Sequence, residues 1–355
     1  MEKSLASLKI EENVPLAPLT TLKIGGAARL FVQANDENTV VEALKFVEEN
    51  NLPVFILGGG SNVLISDEGF DGLVLQIALR GIATFQEKDG TVSVTAKAGE
   101  DWDKFVAFCV EKNLQGVECL SGIPGFIGGT PVQNVGAYGQ EVSETIVSVR
   151  VFDIKTRGIL ELTNTDCKFA YRTSIFNTTD KNRFIALTVT YALKFGGEPK
   201  IVYRDLHEIF GERKPTLAET RNAVLDIRRA KSMVIDDGDA NSKSAGSFFK
   251  NPIVSNAKYQ DIKERAKAFG IESVPSFIVD EKRVKIPAAW LIEKSGFEKG
   301  FDFGRVGLST KHTLAIVNRG NASAKDVLAL KNEIQAKVDK MFQIELKPEP
   351  IFVGF

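Results

Sequence analysis

Residues 121–139 read Ser121-Gly122-Ile123-Pro124-Gly125-Phe126-Ile127-Gly128-Gly129-Thr130-Pro131-Val132-Gln133-Asn134-Val135-Gly136-Ala137-Tyr138-Gly139, and no other stretch constrains the fold as strongly. Its six glycines and two prolines interrupt helix and strand alike, yet the residues between them are mainly apolar. Surface loops rarely have that character. The combination predicts backbone packed close against something buried, with glycine wherever a side chain would collide. A buried crossover between domains and a loop gripping a ligand both fit this description. The amides of Gln133 and Asn134 and the phenol of Tyr138 lend weight to the ligand.

A second loop of the kind, Gly58-Gly59-Gly60-Ser61-Asn62, follows an apolar run over 53–57 that reads as a strand. Consecutive N–H groups freed by glycine can wrap an anion such as pyrophosphate, with the Ser61 hydroxyl and Asn62 amide as further donors. No Gly-Lys-Ser/Thr follows, so it is not a P-loop, and Val63 stands where a Rossmann fingerprint needs its third glycine. Alone it would read as a tight turn. Together, two such loops could hold one elongated cofactor from two sides.

Around these loops helix and strand patterns alternate. Val40, Leu44 and Val47 mark a helix over 36–50, and Val92, Val94 and Ala96 mark a strand. A helix over 101–112 places Trp102, Val106 and Cys109 on one face, and 146–152 and 183–193 read as strands of an antiparallel or mixed sheet. Gly196, Gly197, Pro199 and Pro215 interrupt the pattern over 196–222, before a helical stretch over 223–230. Helices are expected at 255–269, 288–295 and 324–342, the last opened by a Ser323/Asp326 capping box, and 350–355 is a strand candidate. The fold class is α+β.

At 355 residues the chain exceeds what one hydrophobic core supports, so two or three domains are expected. A net charge of -1 offers no field to attract nucleic acid or membrane, and no run of apolar residues predicts a transmembrane helix or signal peptide. Cys109, Cys119 and Cys167 show no disulfide or zinc spacing, which suggests a reducing compartment, and a cytoplasmic monomer is expected. His207 and His312 are the only histidines. Two histidines exclude a His-rich metal site, and no metal is expected.

Three further positions could carry chemistry. Ser247 sits between Gly246 and the apolar pair Phe248 and Phe249, where its hydroxyl could donate a proton in a dry pocket. It also forms Ser247-x-x-Lys250, the nucleophile spacing of penicillin-recognising acyl transferases, although their companion motifs are missing. Arg172 can pair bidentately with a carboxylate, and Glu349 is stiffened by Pro348 and Pro350. Singly, each of these is more often structural.

Taken together, these motifs resemble the UDP-N-acetylenolpyruvoylglucosamine reductase family over nearly the whole chain, from about residue 19. The resemblance is carried by Thr20-Thr21-Leu22-Lys23-Ile24-Gly25-Gly26, both glycine-rich loops, Tyr171-Arg172, Gly246-Ser247-Phe248-Phe249-Lys250-Asn251-Pro252, residues 288–292 and Pro348-Glu349. It implies an FAD-binding fold of the vanillyl-alcohol-oxidase (PCMH) type with two subdomains, at 1–78 and 79–222, and a C-terminal substrate domain at 223–349. The strand at 350–355 could return to the first subdomain. It implies NADPH as hydride-donating co-substrate and the enolpyruvyl nucleotide sugar as acceptor.

By the same resemblance, Ser247 is the proton donor, and Arg172 and Glu349 stabilise the charge that develops on the substrate. Gly58, Gly59, Gly60, Ser61, Asn62, Ser121, Gly122, Ile123, Pro124, Gly128, Gly129, Gln133, Asn134, Gly136, Ala137 and Tyr138 would hold FAD. Tyr171, Tyr203, Lys231, Asn251 and His312 would lie on the substrate side. The linker over 232–244 is longer and more acidic than is usual in the family. Related oxidases often attach their flavin through histidine, and none precedes residue 207, which points to non-covalent FAD. A serine-dependent acyl transferase and a non-catalytic nucleotide-sugar binder are the competing readings.

Overall fold

The computed structural model describes residues 8–87 and 89–355. The first seven residues of the N-terminal stretch, read above as free of a signal run, lie outside the described residues. The chain divides into two compact units, each gathered from separated segments. One comprises the residues up to 14 with 28–60 and 71–234; the other comprises 15–27, 61–70 and 235–355.

The first unit is built on two sheets. In one, strands Glu11–Pro15, Ala27–Ala34, Phe70–Ile77 and Val54–Leu57 lie in that spatial order, the last two parallel. Helix α1 (Glu37–Glu49) connects Ala27–Ala34 to Val54–Leu57, and the Asp36 carboxylate caps it by accepting the Thr39 N–H. It buries Val40, Ala43 and Val47, the apolar stripe visible in the sequence apart from Leu44, which is only partly buried.

The other sheet runs Gly158–Thr163, Ile146–Asp153, Phe184–Phe195, Thr91–Lys97, Ile82–Gln86, antiparallel at each pairing. Helix α2 (Trp102–Glu111) follows Thr91–Lys97, and Trp102, Phe105 and Tyr191 pack with ring centroids 4.9–5.9 Å apart. Burial pushes all three cysteine thiols up, Cys167 to about 12, so they are inert apolar packing.

The stretch expected to be an interruption over 196–222 is partly helical. Helix α3 (Arg204–Phe210) buries Leu206 and Phe210, and α4 (Leu217–Ala230) starts six residues before 223. Pro215 sits just outside α4 and permits the start, where Thr216 and Glu219 form a reciprocal capping box. α3 has no side-chain cap, so only its two buried residues one turn apart betray it.

The second unit holds α5 (Asn256–Ala268), α6 (Ala288–Lys294) and α7 (Ala324–Phe342) around a core that includes Phe248, Phe249, Ile286, Leu291, Phe297 and Leu330. Small antiparallel sheets accompany them, one from Ile253–Ser255, Arg283–Lys285 and Phe277–Asp280, another from Asp302–Phe303, Val306–Leu308 and Ile316–Asn318. The expected capping box of α7 is present, and Asp67 accepts from Ala324 N–H (2.6 Å) and Lys325 N–H (3.1 Å) beside it. The final strand, Ile351–Val353, pairs in parallel with Val63–Ile65, directly after the glycine triplet. Among the described residues no helix is long and apolar enough to cross a membrane.

Asp153, at the end of Ile146–Asp153, has a fully buried side chain that accepts Arg183 at 3.1 and 2.9 Å, with Lys155 N–H and the Thr156 hydroxyl as further donors. The Arg183 hydrogen bonds, foremost, hold its carboxyl down to about 2. The folded-state value is depressed, so this group's stabilisation is complete above the unfolded aspartate range, about pH 4, and is lost as pH falls towards 2. Asp153→Asn is therefore expected to flatten the acid limb of stability between about pH 4 and 2, measured by urea midpoints across pH, while lowering stability at neutral pH.

Candidate functional site

The two glycine-rich loops meet within the first unit. A Cβ on Gly59 would lie 2.8 Å from Gly125 Cα, so backbone touches backbone in a contact that only glycine allows. A Cβ on Gly58 or Gly129 would meet no atom of the described protein within 4 Å, so these glycines present bare backbone rather than fill a packing gap. Gly60 turns the chain with φ +64° into Ser61 and Asn62.

Beneath, the longer loop is anchored by its own amides. Gly128 N–H donates to Ala98 O (2.8 Å), Ile127 N–H to Glu100 O (2.9 Å), and Trp102 N–H to Gly125 O (3.0 Å). The Ser121 hydroxyl donates to Glu118 O (2.7 Å), and Gly122 N–H donates to Asp103 Oδ1 (2.6 Å). Asp103 is itself gripped by Arg221 at 2.6 and 2.8 Å. Burial works to raise its carboxyl, but the Arg221 and Gly122 donors outweigh burial and hold it below the ordinary range. Ile123, Pro124 and Gln133 are half-buried.

Asn134 turns inward. It is 1% exposed; its amide nitrogen donates to Glu141 (2.7 Å) and Ala170 O (3.2 Å), and its carbonyl accepts Ser143 N–H (3.1 Å). Its side chain thus braces the loop against the segment that carries Tyr171 and Arg172. Gly136-Ala137 pairs with Gln140-Glu141 around a turn in which Tyr138 and Gly139 take φ +48° and +83°, the left-handed conformation of a two-residue hairpin.

Arg172 stands on a similar turn. Ala170 and Thr173 exchange backbone hydrogen bonds of 3.0 Å, leaving Tyr171 and Arg172 at the tip with Arg172 at φ +55°. A bulky residue in that region is strained, as often happens at functional positions. Ser174 ties the turn to the glycine-rich loop by donating to Val132 O (2.6 Å), and a Cβ on Gly136 would lie 3.5 Å from an Arg172 terminal nitrogen. Arg172 is thus brought to the loop.

Tyr138 also meets Tyr203 edge to face, with ring centroids 5.2 Å apart, and the Lys231 ammonium lies 5.9 Å from the Tyr138 ring. Lys231 is paired with Asp205 at 2.7 Å. Burial would lower this ammonium, but Asp205 outweighs burial and holds it above its ordinary value. Burial raises the Tyr138 phenol, with Arg228 and Lys231 opposing.

In the second unit, Ser247 and Glu349 are joined through backbone. Gly246 takes φ +71° just before Ser247, Phe249 bridges Pro348, and Glu349 N–H donates to Phe248 O (2.9 Å). Asn62 holds the same strand from the other side: its amide donates to Glu349 O (3.2 Å), and Ile351 N–H donates to Asn62 O (3.0 Å). Asn251 caps α6 by accepting Ala288 N–H (2.8 Å), and His312 lies on the turn closed by Ala315 N–H at 3.1 Å. The segment holding Ser247 and Lys250 is not helical, so their spacing does not stack the two side chains as a helical turn would.

A family model described as the UDP-N-acetylenolpyruvoylglucosamine reductase C-terminal domain matches residues 238–353, and a model described as an FAD binding domain matches 28–162. A protein from Thermobifida fusca named UDP-N-acetylenolpyruvoylglucosamine reductase is 44% identical over 349 residues, covering 96% of this chain and 97% of that one. One of the same name from Streptomyces coelicolor is 42% identical, covering 99% and 92%. The chain belongs to the UDP-N-acetylenolpyruvoylglucosamine reductase family. It is an FAD-dependent oxidoreductase, and the acyl-transferase reading falls away. The crystal structure of UDP-N-acetylenolpyruvylglucosamine reductase from Thermus caldophilus shares its fold, with a TM-score of 0.66 and 24% identity over 98% of this chain and 99% of that one. The bare backbone at Gly58 and Gly129 fits the family's flavin dinucleotide, which needs close approach of donors without side chains.

The sequence reading missed Glu118, Asp103, Arg221, Asp205 and Arg228. Only Arg228 left a trace, as a charge one turn after Val224 on the buried stripe of α4. Glu118 is wholly buried and accepts Gly116 N–H (2.8 Å), the Gln140 amide (2.8 Å) and Lys200 N–H (3.1 Å). Glu118→Ala would orphan all three donors and is expected to cost about 3 kcal/mol or more, read as a shift of the urea midpoint.

Proposed function

We propose that this chain reduces UDP-N-acetylenolpyruvoylglucosamine to UDP-N-acetylmuramate in peptidoglycan precursor synthesis, with non-covalent FAD as cofactor and NADPH as reductant. The near-full-length relationship to reductases of that name carries the proposal. In this reading the enzyme works in the cytoplasm as a monomer. Residues 1–78 and 79–222 serve as FAD-binding subdomains, and 223–349 as the substrate domain.

FAD, when bound, supplies the hydride that reaches the methylene carbon of the enolpyruvyl group. The protein's part is to hold the cofactor and to manage charge and one proton on the substrate. Backbone donors of the 58–60 triplet, with Ser61 and Asn62, serve the cofactor's diphosphate, and the loop from Ser121 to Tyr138 lies along the rest of it. Charge developing towards the substrate carboxylate calls for preorganised partners, the role given to Arg172 and Glu349. The turn that strains Arg172 also fixes its planar fork, which suits a carboxylate better than a mobile ammonium does.

Ser247 delivers the proton to the substrate carbon. A serine hydroxyl is a weak acid in water, so its competence depends on a dry site and a basic enolate. Its half-burial between Gly246 and the buried Phe248 fits that requirement. Tyr171, Tyr203, Lys231, Asn251 and His312 bind the nucleotide sugar, with Lys231 exchanging Asp205 for a phosphate oxygen.

The purified protein should be yellow, bleach anaerobically under NADPH, and regain colour with the enolpyruvyl sugar. A preparation that cannot be loaded with FAD would overturn the proposal. Ser247→Ala is expected to leave bleaching nearly intact and slow the return of colour about 10²-fold or more in stopped flow. Equal slowing of both phases would remove the proton-donor role. Arg172→Lys is expected to retain FAD and lose turnover of the sugar; loss of FAD instead would place Arg172 against the cofactor.

A further inference from the structure

The long acidic linker is a folded loop rather than a slack connector, and its residues 236–244 lie wholly in the second unit. Asp236 O accepts the Ser242 hydroxyl (2.6 Å) and Asp239 N–H (3.1 Å), and Asp239 O accepts Ser242 N–H (2.9 Å). The end of the linker runs beside Ile316–Asn318: Asn318 N–H donates to Lys243 O (2.9 Å), and Ser244 bridges Val317. Gly246 and Ser247 follow almost at once.

The same linker reaches the turn over 309–315, which carries His312 and is tied to the Ser247 segment by Phe248 N–H donating to Leu314 O (2.8 Å). The base of this turn closes on itself, with Ser309 N–H to Ala315 O (2.9 Å) and Ala315 N–H to His312 O (3.1 Å), and the Thr313 hydroxyl donates to Glu293 (3.0 Å). At the tip Thr310 and Lys311 are exposed, so apolar packing does little to fix them. The linker holds the tip instead. Asn241 Oδ1 accepts Thr310 N–H (2.9 Å) and the Thr310 hydroxyl (3.3 Å), while Asn241 Nδ2 donates to Asp239 Oδ1 (3.1 Å). The other Asp239 oxygen lies 3.9 Å from the Lys311 ammonium. A side-chain amide accepts from the turn and donates to the carboxylate at once, which a second carboxylate could not do.

We propose that Asn241, seated on Asp239, is a positioning residue for the nucleotide sugar: it clamps the tip of the turn at Thr310 and so sets the approach of His312 to the substrate. The inference rests on the reading of His312 as a substrate-side residue. Releasing the clamp loosens a binding group without touching hydride or proton transfer, so KM and not kcat carries the effect.

The test uses the FAD-loaded full chain with Asn241→Ala, and with the exchange Asp239→Asn/Asn241→Asp, which restores an amide–carboxylate pair with the roles reversed. Asn241→Ala is expected to raise KM for the enolpyruvyl sugar about tenfold, while kcat and the rate of bleaching at saturating NADPH stay within about twofold, and the exchange is expected to return KM most of the way. On a His207→Gln background His312 is the only histidine, so its ring-proton NMR resonance reports the turn directly. That resonance should shift or broaden in Asn241→Ala and return in the exchange. An unmoved KM overturns the proposal, and if the resonance has moved the clamp is real but His312 lies away from the sugar. Slowing of both flavin phases alike, or a KM change that the exchange does not rescue, overturns it too. Should Asn241→Ala fail to fold, Asn241→Asp, which keeps an acceptor but sets two carboxylates side by side, gives the same readings. Wild-type protein whose reduced flavin is never reoxidised by the sugar overturns the proposed function and this inference with it; a competent wild type with an unaffected Asn241→Ala overturns this inference alone.

Discussion

The carboxylate of Glu118 sits at the centre of the first unit's binding apparatus. It is wholly buried, and beside its neighbour Gly116, just before the long glycine-rich loop, it takes two partners from distant parts of the chain: Gln140 after that loop and Lys200 at the approach to Tyr203. Gln140 passes the connection on by accepting Cys119 N–H at 2.8 Å. A charge removed from water demands donors on every side. Satisfying Glu118 therefore fixes both ends of the loop and the segment that brings Tyr203 against Tyr138. Ligand-facing backbone can stay bare because its position is set from behind.

That division of labour recurs. Asp103 and Arg221 hold Gly122, Asn134 and Ser174 hold the Arg172 turn, and Asn62 holds Glu349. In each case a polar side chain satisfies backbone groups of a loop that has no regular ladder of its own. Seven of the positions proposed to touch FAD are glycine, and the residues that place them are polar and dispersed through the sequence.

This explains what could and could not be read from the amino-acid order. The sequence pattern located α1, α2, α5, α6 and α7 to within a residue or two, because α1, α2 and α7 have a clear apolar stripe and four of the five have a side-chain cap. Glycine clusters located the loops, since backbone contact such as that of Gly59 with Gly125 leaves no other residue possible. The bracing residues left no such mark. Glu118 looks like any surface glutamate until its partners, 22 and 82 residues away, are known. Asn134 was legible as an amide beside glycines, but the direction of its side chain was set by Glu141, Ser143 and Ala170.

The bond from the Asn62 amide to Glu349 O joins residues 287 positions apart, and the parallel pairing of Val63–Ile65 with Ile351–Val353 does the same for strands. The early segments 15–27 and 61–70 belong with 235–355, and the apolar Leu22, Ile24 and Leu64 find their core only there. On a ribosome these pieces must wait. The first unit has most of its chain by residue 234, whereas the second cannot close until the last strand has emerged, so apolar surface near the N-terminus stays uncovered through most of synthesis. Truncation of even the final strand would take away Asn62's partner strand, and with it a support of the loop that begins at Gly58.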